Sequence, residues 1–338
     1  MGERVFVTGG TGLIGRALVQ RLIERGDQVV ALARSDAAAA DLAGVGADVA
    51  RGDLLDERAL AEGLRGSAVA YNVAGVNTLC PTDPAPLYRV NRDGARAMAR
   101  AAAAAGVRRL VHTSSAATLG EAEGTIGRED SPHRGSFLSD YERSKFEAER
   151  AVLAAADETG IEVVSVNPAS VQGPGRASGS TRLLLDYVNG RLKAVVDSTL
   201  SLIDITDCTT GHLLAATKGR PGERYVLSGA TLTVREGLAL LGRLAGIERP
   251  VRTLRPSLAM TLATVVESVA WVRRGSPRIC RELARTITHG HAYDGSKAER
   301  ELGLRYTPIE ETLRRTMDWW IEQGLVAAPA ARDPSSTS

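Results

Sequence analysis

A rhythm of apolar runs constrains this chain more than any single motif. Six short runs read as buried strands: Arg4–Thr8, Gln28–Ala33, Ala47–Arg51, Ala68–Val73, Arg109–Thr113 and Glu162–Val166. Between them lie Leu13–Arg25, Leu55–Leu64, Pro86–Ala105 and Asp140–Thr159, each helical in period or rich in Ala, Leu, Arg and Glu. Strands apolar on both faces need cover on both sides, and an intervening helix supplies it. The pattern therefore predicts βαβ units with right-handed crossovers, an α/β fold with a doubly wound parallel sheet. After Pro168 the rhythm breaks. Short strands near Ala194–Val196 and Arg224–Leu227 mix with helices at Asp207–Lys218, Val234–Ala245 and Ile309–Gln323. Residues 1–168, with about 203–220 returning to pack on the first sheet, are expected to form one domain. A smaller mixed α/β lobe would take 169–202 and 221–326, and a tail rich in Ala, Pro and Ser, 327–338, is expected to be disordered.

The first strand runs into Thr8-Gly9-Gly10-Thr11-Gly12-Leu13-Ile14-Gly15, where a dinucleotide-binding loop belongs in a Rossmann-type sheet. Glycines at 9, 12 and 15 allow a tight turn, close backbone approach to a pyrophosphate and close helix–strand packing. The helix start offers free N–H groups and a positive dipole end. The spacing is G-x-x-G-x-x-G, a loose match to the generic G-x-G-x-x-G fingerprint. Arg34 ends the second strand, where an acidic residue would read the ribose 2′-hydroxyl of NAD. An arginine there suits the 2′-phosphate of NADP, or is a plain surface residue. Asp53 ends the third strand and either accepts from the adenine amino group or caps the helix that follows.

Chemistry is carried by Tyr141 and Lys145, four apart and so on one face of a helix. A phenol titrates near ~10, and an ammonium held beside it favours the phenolate. Such a pair can give a proton to a carbonyl oxygen or take one from an alcohol. Seven tyrosines and four lysines predict about 0.08 such pairs by chance. Two occur. In the second, Tyr293 and Lys297, the intervening Gly295 disfavours a continuous helix. Ser296 followed by Glu299 reads as a capping box, so this copy is expected to be structural.

Composition excludes more than it selects. A net charge of +2 gives no case for a nucleic-acid partner. Cys80, Cys208 and Cys280 are scattered and show no pairing or metal spacing, which suits a reducing, cytoplasmic setting. Met1-Gly2-Glu3-Arg4 leads straight into a strand, so no secretory leader is expected. The apolar stretch Ser257–Val272 is too short to span a bilayer and is expected to be a buried or interface helix.

Together these segments resemble the extended short-chain dehydrogenase/reductase family, within the NAD-dependent epimerase/dehydratase superfamily, over nearly the whole chain. Thr8–Gly15 is similar to its glycine loop, Asn72-Val73-Ala74-Gly75 to its fourth-strand motif and Val90-Asn91-Arg92-Asp93-Gly94 to its central-helix motif. Thr113-Ser114-Ser115 resembles its catalytic serine strand, and Tyr141-x-x-Ser144-Lys145 its tyrosine motif. Asp294–Ala298 with Glu301–Leu304 resembles a recurrent C-terminal helix motif. The resemblance implies Tyr141 as general acid/base, Lys145 as holder of the nicotinamide ribose, Ser115 rather than Ser114 on the substrate oxygen, and Asn91 as a support. It implies cofactor contacts at Thr8, Gly9, Thr11, Gly12, Leu13, Ile14, Gly15, Arg34, Asp53, Leu54, Val73, Ala74, Gly75, Thr113, Asn167, Pro168, Ala169 and Ser170. A homodimer through the helices of Asn91 and Tyr141 is also implied. His112 reads as a core histidine, and His289 and His291 as non-ligands for want of partners, so no metal is expected.

Two branches of the family differ after the sixth strand. Here the stretch is Val166-Asn167-Pro168-Ala169-Ser170-Val171-Gln172-Gly173-Pro174, similar to N-P-x-x-V-x-G-P of the carbonyl reductases. The nucleotide-sugar enzymes carry Arg and Tyr where this chain has Val164 and Val171. With Arg34, this favours NADPH-dependent reduction of a ketone or aldehyde, NAD(H) remaining the alternative cofactor. A sugar epimerase or dehydratase is the alternative, since Arg182–Asp204 and Leu119-Gly120 resemble bacterial hopanoid-associated sugar epimerases. A non-catalytic dinucleotide-binding regulator is a lesser one. Phe137, Val171 and Leu184 either line an apolar substrate pocket or belong to the core. Charged residues there are few, which points to a small, fairly apolar substrate.

Overall fold

The computed structural model describes residues 2–177, 179–273, 275, 277 and 279–326; the expected disordered tail lies outside them. The first half runs β1 (Arg4–Thr8), α1 (Leu13–Glu24), β2 (Gln28–Ala33), α2 (Asp36–Gly44), β3 (Asp48–Arg51), α3 (Glu57–Leu64) and β4 (Val69–Asn72). A long helix follows as α4 (Ala85–Tyr88) and α5 (Gly94–Ala104), joined by a π-helical turn at Arg89–Asp93. Then come β5 (Arg109–Thr113), a 3₁₀ turn at Ala116–Leu119, β6 (Ile126–Gly127), α6 (Asp140–Thr159) and β7 (Glu162–Pro168). The second half comprises β8 (Ser170–Gln172), α7 (Ser180–Val188), β9 (Ala194–Val195), β10 (Thr199–Asp204), α8 (Ile205–Lys218), β11 (Arg224–Leu227) and β12 (Ala230–Thr233). It ends with α9 (Val234–Ala245), β13 (Arg252–Thr253), α10 (Pro256–Val272), α11 (Arg281–His289), β14 (Ala292–Tyr293), a π turn at Ala298–Leu302 and α12 (Ile309–Glu322).

Seven strands form one parallel sheet in the order β11-β7-β5-β4-β1-β2-β3. The two-residue period of each strand decides its partners. Val5 and Val7 enter one apolar cluster with Leu18 and Leu22 of α1 and Ala215 of α8. Phe6 between them enters the other, with Leu60 of α3, Met98 of α5 and Val152 of α6. Each fully buried leucine on these faces contributes ~1.5–3 kcal/mol. A third cluster, built on Leu185, Leu241, Leu313 and Trp320, forms the core of the second lobe.

Several expectations are corrected. Arg224–Leu227, assigned to the second lobe, is the seventh strand of the main sheet and pairs with β7 in parallel. Helix α2, not among the expected helices, is capped by Ser35, whose side chain accepts from Ala38 N–H. Ser296 does not cap with Glu299; Asp294 Oδ1 instead accepts from Ser296 N–H at 2.9 Å. The second Tyr/Lys pair nonetheless diverges, for Tyr293 bonds His291 while Lys297 bonds Glu223 at 2.6 Å. Helix α10 is not buried. Only Ala263 is, and Leu258, Leu262, Val265, Val269 and Val272 are exposed. No helix among the described residues is long and apolar enough to cross a membrane.

The cysteines correct the largest inference. Cys80 and Cys280 form a disulfide across 200 positions, joining the loop after β4 to the start of α11. Scattered spacing hid the pair because the fold, not the sequence, brings the two Cα atoms to 5.7 Å. The argument for a reducing compartment falls with it. Glu282 fastens the same junction, accepting from Cys80 N–H at 2.8 Å and from Asp140 N–H. Thiol titration of the unfolded, non-reduced protein is expected to find one thiol per chain, Cys208; three would show that the bond does not form.

Candidate active site

The order of the central strands reverses between β1 and β4, the switch point at which such sheets form a ligand crevice at their strands' C-terminal ends. Its walls are the glycine loop and residues 73–75, and they touch. A Cβ on Gly9, whose φ is +72°, would lie 2.6 Å from Ala74 N, and one on Gly15 would lie 2.1 Å from Gly9 O. Only glycines allow this contact, which holds the start of α1 against the sheet. Helix α1 has no side-chain cap on its first turn and no acidic residue in it. Its first N–H groups and dipole end therefore suit an anionic group such as a pyrophosphate. Thr11, Gly12 and Gly75 are exposed at this mouth, with Leu13, Ile14, Val73 and Ala74 half-buried beside them. Arg34 is exposed at the end of β2. The residues present thus fit a dinucleotide.

Other expected contacts are placed differently. Thr8 is fully buried, donating to Asn72 Oδ1 at 2.8 Å and accepting from Ala74 N–H at 3.2 Å, so it clamps the crevice walls together. Asp53 accepts from Leu55 N–H at 2.8 Å, while Asp56, not Asp53, caps α3. Leu54 is buried beneath Gly94. Asn167 is fully buried, and its amide binds Ser115 O at 3.2 Å, Thr118 Oγ1 at 3.0 Å and Glu149 Oε2 at 2.7 Å. Pro168 ends β7, Ala169 N–H bonds Leu227 O, and Ser170 accepts from Gln172.

The Tyr141 and Lys145 side chains lie on the first two turns of α6. Ser139 caps this helix by accepting from Glu142 N–H at 3.0 Å, and Glu142 reaches back to Leu138 N–H at 2.9 Å. The buried Glu142 carboxylate pairs with Arg134. Burial raises the Tyr141 phenol above its ordinary value; the Ser115 hydroxyl, by hydrogen bonding, and the Arg176 charge pull it back. Ser115 rather than Ser114 is thus the serine whose hydroxyl influences the phenol. Lys145 is buried and donates to Thr113 O at 2.6 Å. Desolvation lowers its pKa to about 8, against the opposing charge of Glu149. A Cβ on Gly75 would lie 3.7 Å from Lys145 Nζ and 3.2 Å from Asn91 Oδ1, which sets the lysine at the wall of the crevice. Asn91, in the π turn, accepts from Val76 N–H at 2.7 Å and donates to Ser144 Oγ at 2.9 Å, tying that wall to α6.

Sequence reasoning missed Glu149. A signal for Glu149 was present, since it stands four residues after Lys145 on the same helix face. It accepts from Asn167 and pairs with Arg224 at 3.3 Å, joining lysine and serine segments in one buried network. If Lys145 must be charged, kcat/KM for reduction should fall as pH rises through about 8. Glu149→Gln removes the charge that raises the lysine pKa, so the limb should move to lower pH. A limb that stays in place would belong to another group.

The three expected substrate residues do not converge. Phe137 lines a cavity of about 480 Å³ with Cys80, Asp140, Arg143 and Glu282. Leu184 lines an apolar crevice of about 30 Å³ with Gln172, Leu202 and Leu313. Val171 belongs to the core. His112 is a core residue beside Asn72, kept neutral because burial lowers its pKa well below the usual histidine value.

Residues 5–228 match the model of the NAD dependent epimerase/dehydratase family. The chain is 34% identical over 326 residues to sterol demethylase protein B of Methylococcus capsulatus, covering 95% of this chain and 99% of that protein. It is 32% identical over 332 residues to 2-alkyl-3-oxoalkanoate reductase of Stenotrophomonas maltophilia, covering 92% and 98%. The solved structure of gox2253 superposes with a TM-score of 0.84 at 30% identity, covering 96% of this chain and 100% of that one. From β1 to β11, then, this chain belongs to the NAD-dependent epimerase/dehydratase family and is an NAD(P)-dependent enzyme of the extended short-chain dehydrogenase/reductase type.

Proposed function

We propose that the enzyme reduces a ketone or aldehyde of an apolar substrate with NADPH. The observation that carries this reading is the placement of Lys145 beside Gly75 with Tyr141 one turn before it on α6, where the Ser115 hydroxyl pulls the phenol's pKa down against burial. NADPH, when bound, supplies the hydride for the carbonyl carbon. Ser115 would donate a hydrogen bond to the carbonyl oxygen, and Tyr141 would protonate that oxygen as charge develops on it. Lys145, held by Thr113 O with Glu149 as counter-charge, would stabilise the phenolate left behind. Arg176 adds a second positive charge near the phenol. Thr8 and Asn91 would position these groups without touching substrate, because their polar atoms are spent inside the fold, and the Asn167 amide nitrogen does the same for the Ser115 segment.

The reductase reading draws on the valines at 164 and 171, both buried and apolar, and on exposed Arg34. The 2-alkyl-3-oxoalkanoate reductase relative is consistent with it, and both named relatives carry apolar molecules in their names. Titration with NADPH and NADH, followed by a carbonyl panel read by absorbance, tests the proposal. Preferred NADPH binding and its oxidation by apolar ketones is the expected result. Tight NAD(H) binding with no net turnover of any carbonyl would overturn it in favour of an epimerase.

A further inference from the structure

We infer that Glu121, His289 and His291 form a binding site for a divalent transition cation, with Zn²⁺ the best match to two imidazoles and a carboxylate. Sequence spacing gave the two histidines no third ligand, and the fold corrects this. Glu121 comes from the loop just beyond the 3₁₀ turn that Ser115 caps; His289 ends α11, and His291 precedes β14. One ligand atom from each lies within 4.8 Å of the other two. His289 Nε2 stands 3.6 Å from Glu121 Oε1, and His291 Nδ1 stands 2.6 Å from the same oxygen. A tetrahedral ion with bonds of ~2.1 Å has ligand–ligand edges of roughly 3.4 Å, so the carboxylate would have to swing away from His291 to admit one.

Two observations favour a ligand over a closed hydrogen-bond cluster. Glu121 is 2% exposed, yet its Oε2 has no hydrogen-bond partner, and neither does buried His289 Nε2. A native fold rarely leaves both a carboxylate oxygen and an imidazole nitrogen unpaired in one place. Charge also suits a cation. The neighbouring Glu142 and Arg134 cancel in their ion pair, which leaves Glu121 as the net charge of the cluster. The Tyr293 hydroxyl, 3.0 Å from His291 Nδ1, would hydrogen-bond a water completing the shell. An ion there would pin the loop after Ser115 to the segment between α11 and β14. Its role would be to order the catalytic serine rather than to touch the substrate.

The test is equilibrium dialysis of tag-free, metal-stripped protein against Zn²⁺, with Co²⁺ absorption as an independent readout. One ion per chain, a raised Tm and the visible bands of a tetrahedral nitrogen–oxygen site are expected. Glu121→Gln, His289→Gln and His291→Gln should each weaken binding at least tenfold, while His133→Gln leaves it unchanged. Should the buried variants fail to fold, partly exposed His291→Gln and the wild-type Co²⁺ spectrum decide the matter. Absence of a one-to-one complex in the wild type, or undiminished binding in His291→Gln, would overturn the site.

Discussion

Tyr141→Phe is expected to lower kcat for carbonyl reduction by about 10²–10⁴-fold, the usual contribution of a positioned proton donor. NADPH affinity should change by less than about threefold, because the ring stays in place and only the hydroxyl is lost. Such a split separates proton transfer from binding, since a loss confined to kcat marks an interaction made in the transition state. Lys145→Met makes the useful contrast. It removes a buried cation from the crevice wall, so it should weaken NADPH binding as well as turnover. Fluorescence titration with NADPH and steady-state kinetics on one ketone measure both quantities. Near-normal turnover in Tyr141→Phe would remove the phenol from the mechanism and the proposed function with it.

The sheet was legible because local sequence decides it. Val5, Phe6 and Val7 alternate between two apolar layers, and no distant partner is needed to read that period. The glycine loop and the Tyr141–Lys145 spacing are equally local. What stayed hidden depends on contacts between segments far apart in the chain. Cys80 meets Cys280 and Glu121 meets His291 only once the second lobe has folded back over the first, and Arg224 meets Glu149 only once its strand has joined the main sheet. The edge strand of the main sheet, Arg224–Leu227, shows the same limit. Its composition announced a strand, but only the packing of α8 decided which sheet it joined. Burial likewise separated Asn167 and Thr8 from the exposed loop residues, although their positions in the motifs are equivalent.

Cofactor choice should turn on Arg34. The side chain is exposed at the end of β2, beside the start of α2. Ser35 already caps that helix, and Asp36 is paired with Arg51 at 2.6 Å. A 2′-phosphate arriving here would meet a guanidinium and the positive end of a helix, while a ribose hydroxyl would find little to bond. Arg34→Glu reverses the charge. Losing a charge-assisted hydrogen bond costs about 1.5–3 kcal/mol, and repulsion of the phosphate adds to it. The dissociation constant for NADPH should therefore rise by about 100-fold. NADH, which has no phosphate at that position, should bind within about threefold of wild type, or more tightly if the new carboxylate accepts from its ribose. Salt separates the terms further, for the exposed contribution should shrink as ionic strength rises, and the NADPH preference of the wild type should shrink with it. Equal losses for both cofactors would mean that Arg34 supports the loop rather than reading the phosphate, and the choice between NADP and NAD would have to rest on other residues.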